Sequence, residues 1–259
     1  MIVTRFVLLM MTLFEFFLKH PNVVVAYSGG IDSTYLLYAA QKYAQHVRAI
    51  FVRSAFQPAF ECADALSFCH KIGLELEFID VDVFMYEEIV SNPPNRCYYC
   101  KRAIFGAICD AAHTMPGFDV LDGTNADDDE TDRPGMKALR ELGVLSPLRL
   151  CGMTKAMIRE AAKKADIEHW NKPAYACLAT RMMTGERLTR EQLVKTEQAE
   201  AYLMTLGFED FRIRCVGNTA KIQIQSADFV RLMAQRNQIR LHLKKYYENI
   251  TLDLKARDE

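Results

Sequence analysis

The sequence predicts an α/β protein, a doubly wound parallel sheet followed by a small C-terminal α+β domain. Three observations predict it. Apolar runs of strand length alternate with amphipathic stretches of helical length up to about Ala165, the order that builds βαβ units. The run Val23-Val24-Val25-Ala26-Tyr27 leads directly into Ser28-Gly29-Gly30-Ile31-Asp32-Ser33 and an amphipathic segment, so strand, glycine turn and helix start adjoin. Beyond Arg181 the alternation gives way to a long helical stretch and two short strands. With 259 residues, half of them apolar, the chain can hold one large domain or a principal domain with a smaller one.

The elements follow in order. Phe6 to Phe17 is rich in Leu, Met and Phe and reads as a first helix packed on the sheet. Glu15 and Lys19 cut this apolar run below the roughly 20 residues of a membrane span, and no small-residue cleavage site precedes the glycine turn. After the strand ending at Tyr27, Thr34 to Ala44 reads as a helix and Arg48 to Arg53 as a strand running to Ser54. Pro58 to Ile72 is a helix with proline at its start, and Leu76 to Val81 is a strand. A helix over Arg96 to Ala112 and a short strand over Phe118 to Leu121, running into Gly123, continue the alternation. Val144 to Leu148 reads as a fifth strand, and Thr154 as the cap of a helix reaching Ala165. A helix over Thr189 to Leu206 comes next, then a hairpin of Phe211 to Val216 and Ala220 to Ile224 turning at Gly217-Asn218. A helix from Ala227 and a strand near Ile250 to Leu254 close the chain. Domains are expected over residues 1–180 and 181–259, the boundary falling near residues 168–188.

The glycine turn reads as a phosphate site. Gly29 and Gly30 let the backbone approach a ligand, the Ser28 and Ser33 hydroxyls can donate to oxyanions, and the helix start near Asp32 offers free N–H groups. It lacks the Gly-Lys-Ser/Thr of a Walker loop and the Gly-x-Gly-x-x-Gly of a dinucleotide fold. Ser54 and the pair Gly123-Thr124 end strands, where a nucleotide meets a parallel sheet. Asp127 and Asp128, downstream in the same segment, could hold a Mg²⁺ that rides on phosphates, or form a solvated acidic loop. Lys101, Arg133 and Arg181 are cations inside distinctive segments that could neutralise a triphosphate and a second anion, Lys101 and Arg181 at the nucleotide and Arg133 at the substrate. Arg212 and Arg214 alternate on a strand, so both guanidiniums share one face, suited to a phosphomonoester or to solvent.

A net charge of -1 gives no general polyanion signature, which counts against a nucleic-acid partner. Eight cysteines without a secretion signal point to reduced thiols in the cytoplasm. Cys62, Cys69, Cys109, Cys151 and Cys215 sit in apolar or isolated contexts and read as buried small hydrophobes. Cys97 and Cys100, in Asn95-Arg96-Cys97-Tyr98-Tyr99-Cys100-Lys101, are three apart at a helix start and share a face; Cys177 lies in Lys172-Pro173-Ala174-Tyr175-Ala176-Cys177-Leu178-Ala179-Thr180-Arg181. Three thiolates suit a cubane iron-sulfur cluster with one iron left open, whereas zinc would want a fourth ligand, and paired helical thiols can also simply pack.

These motifs carry a resemblance. The S-G-G-I-D-S loop resembles that of the ATP pyrophosphatase superfamily, with its adenine nucleotide alpha hydrolase-like fold. Together with N-R-C-Y-Y-C-K, D-G-T-N-A-D-D, D-R-P-G with V-L-S-P-L, C-L-A-T-R and F-R-I-R it is similar to the LarE family of ATP-dependent sulfur transferases, over about residues 23 to 224. The resemblance implies adenylation by ATP of a carboxylate of pyridinium-3,5-biscarboxylic acid mononucleotide, then replacement of AMP by sulfur to give a thiocarboxylate, in making the nickel-pincer nucleotide. It implies Mg²⁺, sulfide or another sulfur donor, and a homo-oligomer. Some members sacrifice the sulfur of the cysteine matching Cys177; others carry three cysteines and a [4Fe-4S] cluster, the type that Cys97, Cys100 and Cys177 favour. Glu197 and Glu200 match the family's paired acids. A tRNA 2-thiolation enzyme and a non-catalytic nucleotide-binding module are the competing readings.

Overall fold

The structure, a computed structural model, describes residues 11–128 and 134–258. Its first helix, α1 (Leu13–Lys19), starts where Thr12 closes a reciprocal cap: the Glu15 N–H donates to Thr12 Oγ1 at 3.2 Å and the Thr12 N–H to Glu15 Oε2 at 2.8 Å. Residues 6–10 of the expected first helix lie outside the described residues. The chain continues through β1 (Asn22–Ala26), α2 (Ile31–Tyr43), β2 (His46–Arg53), α3 (Ala59–Lys71), β3 (Leu76–Asp80), α4 (Glu87–Val90) and α5 (Arg96–His113). Then come β4 (Asp119–Leu121), α6 (Pro134–Glu141), α7 (Pro147–Leu150), α8 (Lys155–Lys164), α9 (Arg190–Thr205), β5 (Arg212–Val216), β6 (Thr219–Gln223), α10 (Phe229–Ala234), α11 (Arg236–Leu243) and β7 (Asn249–Leu252). No helix among the described residues is long and apolar enough to cross a membrane.

Two compact units form. The first takes Met1–Arg53, Phe60–Val81 and Cys97–Lys172; the second takes Ser54–Ala59, Asp82–Arg96 and Pro173–Glu259. The first is built on a parallel sheet of order β3-β2-β1-β4. Val23, Val24 and Val25 of the inner strand β1 are fully buried, the continuous apolar pattern of a strand covered on both faces. Phe16, Phe17, Leu36, Leu37, Phe51, Leu121, Leu148 and Ile158 join Val23 and Val25 in one core. This α/β unit agrees with the expected class.

The fifth strand expected over Val144 to Leu148 does not form. Leu145 makes a single parallel bridge with Leu121, donating to the Val120 carbonyl at 2.9 Å and accepting from the Asp122 N–H at 2.9 Å. Pro147 then opens α7: it has no N–H for a ladder, and its fixed φ suits the first helical position, so pairing stops at once.

In the second unit β5 and β6 form the expected hairpin, antiparallel with Val216 opposite Thr219, and β7 adds to β6 in parallel. The expected helix from Ala227 is divided into a 3₁₀ turn at Ser226–Asp228, α10 and α11. Helix α9 packs on β5 and on a 3₁₀ turn at Leu178–Arg181, and α11 packs on α9.

Candidate functional site

Each unit gathers one group of the residues singled out above. In the first, β1 delivers the chain to the Ser28–Ser33 loop. Gly29 takes a φ of 77°, and a Cβ there would stand 3.0 Å from the Glu61 carbonyl, so both conformation and space call for glycine. Ser33 folds its hydroxyl back: Ser28 Oγ and Ser33 Oγ are 3.0 Å apart, and Ser33 Oγ donates to the Gly30 carbonyl at 3.0 Å. The Thr34 N–H and hydroxyl both reach that carbonyl at 2.9 Å, and Gly30 caps α2 with its side-chain position empty. The first-turn N–H groups of α2, with no side-chain cap, are donors for an anion.

The 122–128 segment lies against this helix start. A Cβ on Gly123 would fall 2.9 Å from the Ser33 nitrogen, a close approach only glycine permits. Asn125 Nδ2 donates to Asp32 Oδ2 at 2.9 Å. Burial pushes the Asp32 carboxyl up and the nearby Asp128 charge adds to it, against the lowering by Asn125. Asp127 Oδ2 accepts the Lys155 N–H at 2.7 Å, and the Asp128 side chain accepts the Asn125 N–H at 3.1 Å with Lys155 Nζ at 3.6 Å. Both carboxylates thus shape the loop and the start of α8. Thr124 Oγ1 donates to Asp122, which also accepts from Ser146 Oγ at 2.5 Å and has Lys101 Nζ 4.0 Å away. Arg133 lies outside the described residues. Among the described residues no three His, Cys, Asp or Glu side chains form a metal-holding group.

Exposure separates the cysteines. Cys69, Cys109, Cys151 and Cys215 are buried, and burial pushes their thiols up, Cys69 and Cys151 to about 11. Cys62, expected to be buried, is half-buried on α3. Cys97 is exposed and Cys100 half-buried in the first turns of α5, in the first unit. Cys177, half-buried, begins the Leu178–Arg181 turn of the second unit.

That turn is held by guanidiniums. Arg212 donates to the Ala174 carbonyl at 2.7 Å, Arg181 to that of Ala176 at 3.0 Å, Arg96 to that of Ala179 at 3.1 Å, and Arg214 to that of Thr180. Arg181 was expected among the nucleotide contacts, yet its side chain is fully buried. Its Nε and Nη2 meet the two Glu200 oxygens at 2.8 and 3.0 Å. Burial opposes its charge, but Glu200 outweighs burial and holds Arg181 above its ordinary value. Glu200 also accepts the Ile213 N–H at 2.8 Å and the Tyr175 hydroxyl. The Tyr175 ring faces Arg181 and Arg212 at 4.6 and 5.3 Å. Burial first, and then the Arg181 and Arg257 charges, bring Arg212 down to about 10; Arg214 is lowered by the same causes. Such crowding of cations favours an anionic ligand. Glu197, paired with Glu200 by sequence, instead accepts the Ala59 N–H at 2.7 Å, at the start of α3. Ser54 donates to Gln57 Oε1 at 2.5 Å.

Sequence reasoning passed over Asn92, Arg96, Asn125 and Tyr175. The last three lie inside quoted motifs, but their side chains meet residues from distant parts of the chain, which no local pattern signals.

A parallel sheet whose inner strand runs into an S-G-G-x-D-S loop capping a helix defines a PP-loop protein. No family model matches the chain. It is 32% identical over 246 residues to an uncharacterized protein of Synechocystis, covering 93% of this chain and 92% of that one. It is 30% identical over 236 residues, 90% of this chain and 86% of the other, to the pyridinium-3,5-bisthiocarboxylic acid mononucleotide synthase of Lactiplantibacillus plantarum. A shorter match, 28% over 145 residues and 46% of this chain, is to the tRNA-specific 2-thiouridylase of Thermotoga petrophila. The chain belongs to the LarE family, that of the pyridinium-3,5-bisthiocarboxylic acid mononucleotide synthase.

Proposed function

We propose that this chain is an ATP-dependent sulfur transferase acting on pyridinium-3,5-biscarboxylic acid mononucleotide. One observation carries the reading: similarity to the synthase runs over 90% of the chain, and so through both units. A carboxylate oxygen of the substrate attacks the α-phosphorus of ATP and pyrophosphate leaves. Sulfur then attacks the acyl carbon, and AMP departs with the former carboxylate oxygen, leaving a thiocarboxylate. The Ser28–Ser33 loop and the N–H groups of α2 take the leaving phosphates. Gly123 and Thr124 bound the nucleotide, with Lys101 and Ser54 as further contacts. Asp32 is the carboxylate best suited to Mg²⁺ on those phosphates, since a cation offsets the cost of its burial. Arg212 and Arg214 hold the substrate's phosphate, in keeping with their lowered guanidiniums.

The chemistry of three thiols supports an iron-sulfur group, and Cys97, Cys100 and Cys177 are each exposed or half-buried. These three would hold a [4Fe-4S] cluster, which supplies sulfide delivery when bound. We further propose a cytoplasmic homo-oligomer.

The test is turnover by anaerobically purified protein given ATP, Mg²⁺, the dicarboxylate nucleotide and sulfide. AMP and pyrophosphate should form in equal amounts with many thiocarboxylates per chain, and iron should be about four per chain. Release of ADP would refute the adenylation. Colourless protein that stops after one turnover, with dehydroalanine at Cys177, would replace the cluster with a sacrificial cysteine.

A further inference from the structure

Residues 82–96 come from the middle of the sequence but belong to the second unit, where they bind the chain beside the Cys177 turn. The Leu188 N–H donates to the Val90 carbonyl at 2.8 Å, the Gly185 N–H to that of Asn92 at 2.8 Å, and Asn92 Nδ2 to that of Met183 at 2.7 Å. Asn92 is 1% exposed with a φ of 54°, a left-handed conformation asparagine tolerates. Its Oδ1 accepts from Arg96 Nη1, and the same Nη1 donates to the Ala179 carbonyl at 3.1 Å. Arg96 is itself only 8% exposed.

The Ala179 carbonyl otherwise accepts a long 3₁₀ bond from the Met182 N–H at 3.4 Å. Such turns have poor hydrogen-bond geometry. The Cys177 carbonyl is held by the Thr180 N–H at 3.0 Å and hydroxyl at 2.7 Å, so the weak point of the turn is Ala179, and there Arg96 adds the shorter contact.

We infer that Arg96, oriented by Asn92, is a positioning residue for sulfur transfer that fixes the turn carrying Cys177. The inference rests on the sulfur-transfer reading and adds a residue that acts through the backbone of the turn. Without it the sulfur samples a wider volume, and a small misplacement of a reacting group costs rate.

The full chain carrying Arg96→Met tests this. Asn92→Gly is the second variant, because glycine accepts the same φ while losing both side-chain bonds. Two readouts are taken: alkylation of Cys177 by iodoacetamide, followed by peptide mass, and thiocarboxylate formed per pyrophosphate released. Alkylation should rise at least ~3-fold as the turn opens. Thiocarboxylate per pyrophosphate should fall about 10-fold, with pyrophosphate release itself changed less than about twofold. Unchanged alkylation, or transfer and pyrophosphate release falling in parallel, would overturn the role. Wild-type protein that releases no pyrophosphate would sink the functional reading instead, and the alkylation arm would still decide for or against Arg96.

Discussion

At the residue scale, Asp32 shows how burial and function oppose each other. The folded protein holds the Asp32 proton more tightly than the unfolded chain does, because burial raises this carboxyl above its ordinary value of 3.8. The contribution of Asp32 to stability is therefore full below that value, is lost as pH rises through the raised folded value, and stays lost at neutral pH. Asp32→Asn removes the buried charge while its amide oxygen can still accept from Asn125. The variant should melt at or above the wild-type temperature at pH 7, with the gap closing as pH falls toward 4, by scanning calorimetry. Its pyrophosphate release should drop on the order of 100-fold. A variant less stable than wild type at neutral pH would contradict the argument. Asp32 stands out in the sequence because it lies in the S-G-G-I-D-S loop, whereas its bond to Asn125 was not legible, since 93 residues separate them.

At the element scale, local signals carry well. Thr189 opens α9 with a reciprocal cap, its Oγ1 accepting the Gln192 N–H at 3.2 Å and its own N–H donating to Gln192 Oε1 at 3.1 Å. The helix expected over Thr189 to Leu206 forms, and this cap fixes its start. Thr189→Ala should cost about 1 kcal/mol in urea denaturation. Pyrophosphate release should persist, because Glu200 lies about three turns along the helix from the cap. A loss below a few tenths of a kcal/mol would mean the cap contributes nothing. The β5–β6 hairpin was equally legible from its turn. Val144 to Leu148 was not, because its apolar run satisfies a strand pattern while Pro147 forbids a ladder, and the two signals compete within five residues.

At the scale of the whole molecule, the second unit draws on three parts of the chain. Phe56, Val83, Ile89 and Val90 are buried, and Phe56 accepts the Leu178 N–H at 2.9 Å. A fragment ending at Thr180 keeps those apolar side chains but loses most of their unit. It should bind a hydrophobic dye and melt without a cooperative transition, whereas the full chain should melt cooperatively. A cooperative melt from the fragment would contradict this. The sequence by itself determined the parallel α/β core, the glycine turn between strand and helix, the hairpin and the family, because hydrophobic period, glycine turns and helix caps act over a few residues. Only the tertiary structure decided that Arg181 is buried on Glu200, that Arg96 and Arg214 grip the Cys177 turn, and that residues 54–59 and 82–96 join the second unit. A long polar side chain takes whichever oxygen folding brings within about 3 Å, and that choice is made across 19 to 83 residues of chain rather than within a motif.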